Sequence, residues 1–282
     1  MSGRVWLVTG SSRGLGRRIV EAAAAAGDRV LATARRPSSL DGLAGERVAV
    51  AALDVTDPAA ARHAVDTAVD RFGRLDVVVN NAGQADLGAV EDTPEESFWR
   101  QHSVAYSGVV HVTRAALPVF RGQGSGHFIQ ISSLGARMGT PGLAAYQAAK
   151  AAATVCSLSL AAEIAPLGLH VTVVEPGNLR TDMLNSDSMT ILPVSPPYRP
   201  TVGAAAERLA TLDGAQPGDP AKAAAAIVSI AHMDDPPLRL PLGTDAVELA
   251  ATAARRLAAE DARWHDLSTS IDYAAGRPER PR

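Results

Sequence analysis

The sequence predicts an α/β fold in which a single doubly wound parallel sheet carries helices on both faces. Short runs that are apolar throughout, such as Arg4–Thr9 and Leu75–Asn80, alternate with alanine-rich helical stretches such as Leu143–Ala165. Strands without polar alternation are typical of parallel sheets buried on both faces. Because no internal repeat or low-complexity linker interrupts the 282 residues, we expect one domain over residues 1–282.

The alternating pattern predicts the elements in order. The predicted strands are Arg4–Thr9, Arg29–Ala34, Arg47–Leu53, Leu75–Asn80, Gly126–Ile131, Leu169–Val174 and a short one near Leu238–Leu240. The predicted helices are Gly14–Ala26, Asp57–Phe72, Pro94–Arg121, Leu143–Ala165, Pro220–Ala231 and a C-terminal helical extension, Thr244–Glu260. The proline-rich stretch 182–202 lacks periodicity, and we expect it to be a long loop or a partly helical flap, within a substrate flap over residues 182–218. The tail, 276–282, is expected to be loose.

Composition narrows the possible partners and location. The net charge is −3 and 20% of residues are charged, so no basic field favours nucleic acid or a membrane surface. The chain shows neither a signal-peptide pattern nor a membrane-spanning apolar stretch free of charges and turn residues. Cys156 is the only cysteine, and the histidines are scattered. We therefore expect a cytoplasmic protein without disulfide or metal.

A glycine-rich loop, Thr9–Gly16, joins the first strand to the first helix. Its glycines allow tight turns and close approach of a pyrophosphate, and the start of a helix offers free N–H groups and a positive dipole end. A loop in this position is typical of a Rossmann-type dinucleotide site, although a plain turn is the alternative. The predicted cofactor contacts in the loop are Gly10, Ser12, Arg13, Gly14, Leu15 and Gly16.

Arginines follow the second strand, where NAD-binding sites of this type place an acidic residue. The guanidinium groups of Arg35 and Arg36 suit a 2′-phosphate, and Arg13 in the glycine-rich loop adds another. The sequence therefore favours NADP (NADPH) over NAD. The alternative is that one or both of Arg35 and Arg36 are solvated loop residues.

Two more segments follow strands at the same expected sheet edge. Asp54 and Val55 come after the third strand, where they can meet the adenine. Asn80–Gly83 comes after the fourth, and its short polar side chains can tie down a turn. We expect Asn81, Ala82 and Gly83 to contact the cofactor, with a purely structural role equally open.

Tyr146 and Lys150 lie four residues apart in a predicted helix and share one face. A nearby ammonium favours the phenolate, so Lys150 is expected to lower the pKa of Tyr146 towards a useful range for proton transfer. Lys150 and Lys222 are the only lysines in a chain that otherwise uses arginine. A lysine retained in such a chain hints at a need that arginine does not meet.

Two further features accompany these motifs: Ser133 lies thirteen residues before Tyr146, and Pro176-Gly177 is followed by Thr181. Together, the motifs resemble those of the short-chain dehydrogenase/reductase family, and the resemblance extends to about Leu242. The resemblance implies that Ser133 and Tyr146 bind the substrate oxygen. Tyr146 then passes a proton while the nicotinamide passes a hydride, and Lys150 lowers the tyrosine pKa and holds the ribose. It also implies a nicotinamide end lined by Pro176, Gly177, Leu179 and Thr181.

The C-terminal half resembles a bacterial subgroup similar to hydroxysteroid dehydrogenases, through Tyr198, Gln216–Pro220 and Pro237–Pro241. By analogy alone, the resemblance implies a small to medium hydrophobic carbonyl compound or secondary alcohol as the small-molecule substrate. The family resemblance also implies a homodimer or homotetramer that packs through long helices such as Leu143–Ala165.

One position departs from the family pattern. Ala105 aligns with an asparagine that usually holds a proton-relaying water, and alanine has no hydrogen-bonding side chain. The neighbours that could compensate are His102, Ser103, Tyr106 and Ser107. Three functions thus remain: an NADP-dependent reductase or dehydrogenase, a redox-neutral epimerase, dehydratase or cyclase, and a binding protein that has lost activity. Intact Ser133, Tyr146 and Lys150 argue against the last.

Overall fold

A computed structural model of the chain describes residues 3–184 and 189–273. The predicted tail, 276–282, and part of the predicted flap, 185–188, lie outside these residues. The strands are β1 Val5–Val8, β2 Arg29–Ala34, β3 Val48–Ala52, β4 Val77–Asn80, β5 Ala85–Leu87, β6 His127–Ile131, β7 His170–Pro176, β8 Met189–Ile191 and β9 Arg239–Leu242. The helices are α1 Gly14–Ala25, α2 Pro58–Phe72, α3 Glu95–His102, α4 Gly108–Gln123, α5 Ala144–Ile164, α6 Ala204–Leu212, α7 Pro220–Ala231, α8 Thr244–Arg263 and α9 His265–Thr269.

Seven of these strands form one parallel sheet in the order β3-β2-β1-β4-β6-β7-β9. Helices α2, α4 and α5 bury apolar side chains such as Val65, Phe120 and Leu160 against one face. Helices α1 and α7 cover the other face with side chains such as Ile19 and Ile227. The predicted doubly wound α/β fold is confirmed.

The strand order reverses between β1 and β4, and ligands of doubly wound sheets bind at such a switch point beyond the carboxyl ends of the strands. There, the amide N–H of Thr9, just after β1, donates to the carbonyl oxygen of Val79 in β4 at 3.0 Å. The topology thus brings the loops after β1 and β4 together, and these loops carry two of the predicted motifs.

The predicted helical region Pro94–Arg121 is helical from Glu95 onward, and within it a π-helical turn, Ser103–Ser107, separates α3 from α4. A π turn inserts a residue into the helical ladder and changes which side chains face inward. Directly after it, Gly108 meets the loop beyond β3 so closely that a Cβ would lie 2.6 Å from Cγ2 of Val55. The His111 ring nitrogen Nδ1 hydrogen-bonds the Val55 carbonyl oxygen at 3.0 Å, which fixes the start of α4.

The described part of the predicted flap contains more regular structure than the sequence indicates. Strand β8 pairs in parallel with β5 to form a small second sheet, and α6 follows a π-helical turn, Arg199–Gly203. Met189 and Val202 pack against Leu87 in a separate apolar cluster, and Leu143 and Leu209 lie at its edge. The segment is therefore held over one end of the sheet by apolar contacts.

Among the described residues, the stretch Ala144–Leu167, which contains α5, is long and apolar enough by length and composition to cross a membrane. The stretch is not free of charge, because it includes Glu163 as well as a lysine. This stretch contains buried Lys150, and α5 packs Leu160 and Ile164 into the core of the sheet. A helix in the core of a soluble protein can have the same length and apolar composition. These two properties of α5 are therefore weak evidence for a membrane span.

Candidate active site

A cavity of about 790 Å³ opens at the carboxyl edge of the sheet. It brings together nearly all the residues that the sequence predicts for the site: Gly10, Ser12, Arg13, Gly14, Leu15, Arg35, Asp54, Val55, Asn81, Ala82, Gly83, Ser133, Tyr146, Lys150, Pro176, Gly177, Leu179 and Thr181. Gly16 and Arg36 are predicted site residues that do not line it. One continuous cavity therefore joins the glycine-rich loop to the Tyr146–Lys150 pair.

Asn81 holds the glycine-rich loop from behind. Its side-chain Nδ2 donates to the carbonyl oxygens of Thr9 and Gly10, at 3.0 and 3.1 Å. Gly10 has a φ of +65°, and a Cβ there would lie 2.9 Å from Cα of Ala82. A Cβ on Gly16 would collide with the Asn81 side chain. Gly16 thus shapes the loop by close packing, and the loop leaves the start of α1 facing the cavity, as a pyrophosphate requires.

The far end of the cavity carries positive charge. Arg13 and Arg35 line it, whereas Arg36 does not, and the Arg36 carbonyl oxygen accepts from the Ser39 hydroxyl. Asp54 accepts from the Thr56 hydroxyl at 2.7 Å, and this bond is the main cause that lowers the pKa of Asp54. Burial opposes the shift, and the charge of Arg35 adds to it. Of the two adjacent arginines, the geometry favours Arg35 for an anionic group.

Ser133, Tyr146 and Lys150 meet at the other end. Ser133 follows β6 and caps a short 3₁₀ turn, where its Oγ accepts from the Gly135 amide at 3.0 Å. Tyr146 and Lys150 lie on successive turns of α5. Burial lowers the pKa of Lys150 to about 8, and its Nζ donates to the Ile131 carbonyl oxygen at 2.6 Å.

The pKa of Tyr146 differs from the sequence expectation. Burial is the largest influence and raises this pKa, while a hydrogen bond with the Ser133 side chain opposes it. The Lys150 Nζ lies 6.0 Å from the centroid of the Tyr146 ring. The expectation that the pKa of Tyr146 is lowered is thus not met, because desolvation of the phenolate is the dominant influence on it. A phenol whose pKa lies above its ordinary value keeps its proton at neutral pH.

Ala105 is fully buried at the centre of the π-helical turn. Among its candidate substitutes, the rings of His102 and Tyr106 contact each other at a tilt of 59°, with centroids 5.0 Å apart. In the described chain no hydrogen bond joins His102, Ser103, Tyr106 or Ser107 to Lys150, whose Nζ bonds to the Ile131 carbonyl oxygen.

A buried carboxylate ties the Ser133 turn to the sheet. Glu175, at the end of β7, is fully buried and forms ion pairs with Arg137 and Arg239. Arg137 belongs to the 3₁₀ turn that Ser133 begins, and Arg239 begins β9. The three charges thus hold the Ser133 turn against two strands.

The loop after β7 is anchored by the C-terminal helical extension. The Asp245 carboxylate, in the first turn of α8, accepts from the backbone and side-chain amides of Asn178 at 2.8 and 3.0 Å. A Cβ on Gly177 would collide with the Asp245 carboxylate. Glycine therefore allows the close contact that positions the loop Gly177–Thr181 over the cavity.

The sequence did not single out several cavity residues. Arg100 pairs with buried Asp86 at 2.6 Å, and the amides of Gln84 and Gln216 also line the wall. The apolar part of this wall includes Leu143, Met183, Met189 and Leu209. Met183, Met189 and Leu209 reach this wall because the flap folds back over the sheet, and the spacing of residues in the sequence does not predict that packing. Within the described residues, no cluster of three or more His, Cys, Asp or Glu side chains is placed to hold a metal ion.

The strand order, the switch-point cavity and the glycine-rich loop define a dinucleotide-binding α/β protein. A family model described as short chain dehydrogenase matches residues 4–191. The chain belongs to the short-chain dehydrogenase/reductase family and is an oxidoreductase of that family, whose fold binds a nicotinamide cofactor. The family resemblance found in the sequence is thereby confirmed.

Similar proteins come from fungi and bacteria. Oxidoreductase BOA17 of Botryotinia fuckeliana is 48% identical over 269 residues, which cover 94% of this chain and 98% of the relative. A short-chain dehydrogenase structure from Streptomyces avermitilis has a TM-score of 0.89 at 41% identity, covering 96% of this chain and 100% of that one. A short-chain dehydrogenase from Burkholderia cenocepacia, solved with NADP, has a TM-score of 0.73 at 27% identity, covering 93% and 97%. None of these three names specifies a substrate.

Proposed function

We propose that the chain is an NADP-dependent oxidoreductase that transfers a hydride between the nicotinamide and a carbonyl or secondary alcohol. One observation carries the proposal: a single cavity has Ser133, Tyr146 and Lys150 at one end and Arg13 and Arg35 at the other. A dinucleotide with a 2′-phosphate matches this arrangement, because it is an extended molecule with an anionic end. The bound cofactor supplies the hydride.

The cavity-lining residues named above between Gly10 and Gly83 are the proposed contacts of the phosphates, ribose and adenine. Pro176, Gly177, Leu179 and Thr181 are the proposed contacts of the nicotinamide end. Gly16 acts by shaping the loop against Asn81, and its tight packing supports that role. For the 2′-phosphate, the cavity lining supports Arg35 with Arg13, because Arg36 lies outside the cavity.

In the reductive direction, Ser133 and Tyr146 hold the substrate oxygen by their hydroxyl groups. The O–H bond of Tyr146 breaks, and its proton goes to that oxygen as the carbonyl carbon gains the hydride. The raised pKa of Tyr146 keeps the proton on the phenol until that moment. The nearby Lys150 ammonium favours the phenolate that remains, because opposite charges attract strongly in a desolvated site.

Substrate selection is proposed to rest on the flap over residues 182–218. Met183, Met189 and Leu209 give the described part of this wall an apolar character, which supports a small to medium hydrophobic substrate. The closer likeness to bacterial hydroxysteroid dehydrogenases stays a prediction.

We also infer that residues 1–282 form one domain and that the chain acts in the cytoplasm as a homodimer or homotetramer. On the outer face of α5, Ala148 and Val155 are exposed, Val155 by 63%, and they offer a small apolar surface to a second copy. Light scattering coupled to size exclusion measures the assembly, and a monomer at micromolar concentration would contradict this inference.

A redox-neutral reaction is the second candidate, and Ala105 is the observation that favours it. Alanine lacks the side chain that the family pattern uses to hold a proton-relaying water, and slower reprotonation of Tyr146 from solvent in each redox cycle is the expected consequence. An epimerase, dehydratase or cyclase that returns the proton within one active-site cycle has less need of that relay.

One assay separates these functions. The protein is incubated with NADPH and a panel of apolar ketones, and the nicotinamide absorbance and the products are followed, with Tyr146→Phe as the matched control. Sustained NADPH oxidation that Tyr146→Phe reduces by about 10²–10⁴-fold supports the reductase. Product formation without net NADPH loss supports the redox-neutral enzyme. Cofactor binding without any product would contradict both, and near wild-type activity of Tyr146→Phe would remove Tyr146 as the donor.

A further inference from the structure

Gln216 has a buried side chain whose polar atoms have no partner. It is 1% exposed and lines the cavity. Within residues 3–184 and 189–273, neither Oε1 nor Nε2 of Gln216 has a hydrogen-bond partner. Such orphaned pairs of buried polar atoms are rare in native proteins, and a ligand that completes them is one explanation.

The backbone around Gln216 is held firmly. Arg180 donates to the Gln216 carbonyl oxygen from Nε at 3.2 Å and from Nη2 at 3.0 Å. Two residues on, Gly218 exchanges backbone hydrogen bonds with Asn178 and Arg180, and a Cβ there would lie 2.6 Å from Cδ2 of Leu179. The backbone of Gln216 is therefore held beside the loop that carries Leu179 and Thr181.

We propose that Gln216 binds, at the nicotinamide end of the cavity, a group that presents a hydrogen-bond donor and an acceptor side by side. A primary carboxamide has this chemistry, because its oxygen accepts from Nε2 while its N–H donates to Oε1. Two sources carry such a group: the carboxamide of the nicotinamide ring, or an amide function beside the reacting carbonyl of the substrate. Gln216 thereby sets the orientation of the nicotinamide or the choice of substrate, and the inference rests on the proposed function.

The test compares the wild type with Gln216→Met, which keeps the length of the side chain and removes both polar ends. Dissociation constants are measured by calorimetry for NADP and for its 3-acetylpyridine analogue, whose acetyl group accepts but does not donate. If the nicotinamide is the source, Gln216→Met weakens NADP binding by about tenfold. The wild-type preference for NADP over the analogue then disappears in the variant.

If the substrate is the source, NADP binding is unchanged. The KM of a ketone with a neighbouring amide then rises about tenfold in Gln216→Met, while that of the matching plain ketone does not. In both cases the ligand-free melting temperature of the variant is not lowered, because no internal hydrogen bond is lost. A glutamine with only a structural role would lower it.

Changes below twofold in both the dissociation constants and the KM values would overturn the inference. That result leaves the proposed function intact as long as the wild type oxidises NADPH. If the wild type binds neither NADP nor NAD, this result contradicts the proposed function and also the Gln216 inference that rests on it.

Discussion

The Nζ of Lys150 donates a hydrogen bond to the carbonyl oxygen of Ile131 at 2.6 Å, inside a site that leaves the lysine 4% exposed. One carbonyl dipole replaces only part of the water that an ammonium loses on burial. Burial therefore lowers the pKa of Lys150 to about 8 from 10.5. The group proposed to support proton transfer is thus one that destabilises the fold while it is charged.

The free energy of unfolding should depend on pH, because the buried charge of Lys150 destabilises the folded state. Between pH 8 and 10.5 the unfolded chain keeps a proton on Lys150 that the folded chain has released, so stability rises with pH across this window. Below pH 8 the full cost of about 3 kcal/mol is present, and above 10.5 it is gone. Urea unfolding of the wild type and of Lys150→Met at pH 7 and pH 10 measures how this cost changes with pH. The difference between the two proteins should shift in favour of the wild type by up to about 3 kcal/mol, and a constant difference would contradict the buried ammonium.

Preference for NADPH should depend on one of two adjacent arginines. Arg35→Ala removes a guanidinium that lines the cavity, and we expect NADPH binding to weaken by about 10–100-fold, the range for a charge-assisted hydrogen bond. NADH, which lacks the 2′-phosphate, should bind almost as before. Arg36→Ala is the matched control, with less than a twofold effect on either cofactor. Fluorescence titration gives the four constants, and equal losses in the two variants would reject the assignment to Arg35.

The sequence predicts those features of the site that depend on residues close together in the chain, and it misses those that depend on distant residues. Tyr146 and Lys150 are recognisable together because helical geometry alone places residues four apart on one face. The π-helical turn at Ser103–Ser107 escapes detection, since both its flanks stay helical and the apolar pattern continues through it. Strands β5 and β8, three residues each, form only because the flap folds back over the sheet. The partners of Glu175 are equally hidden, since neither arginine is near it in sequence.

Glu175 should matter for stability although it does not line the cavity. Glu175→Gln leaves Arg137 and Arg239 without their counter-charge, and we expect a loss of about 3 kcal/mol at pH 7, at the low end for a broken buried pair because both arginines are partly exposed. Burial raises the pKa of Glu175, but the two arginines outweigh it and the net pKa is lowered. The contribution of this ionised carboxylate is therefore present above its ordinary pKa of 4.5 and is lost as pH falls through the lowered value. Thermal unfolding should show the deficit of the variant at pH 7 and a smaller one in acid.

Ala105 offers a gain-of-function test. Asparagine and leucine have side chains with the same number of heavy atoms, so Ala105→Asn and Ala105→Leu crowd the buried π-helical turn about equally, by roughly 1–3 kcal/mol of stability. Only asparagine adds a donor and an acceptor with which to hold a water near Lys150. If slow reprotonation of Tyr146 limits turnover, Ala105→Asn raises kcat for ketone reduction by about tenfold or more, within the range for positioned proton transfer, and Ala105→Leu does not.

Steady-state rates in water and in heavy water locate the effect, because a proton-limited wild type slows in heavy water and the asparagine variant slows less. Lower kcat in both variants, with no change in the solvent isotope effect, would mean that the chain reloads Tyr146 by a route that does not pass through this turn.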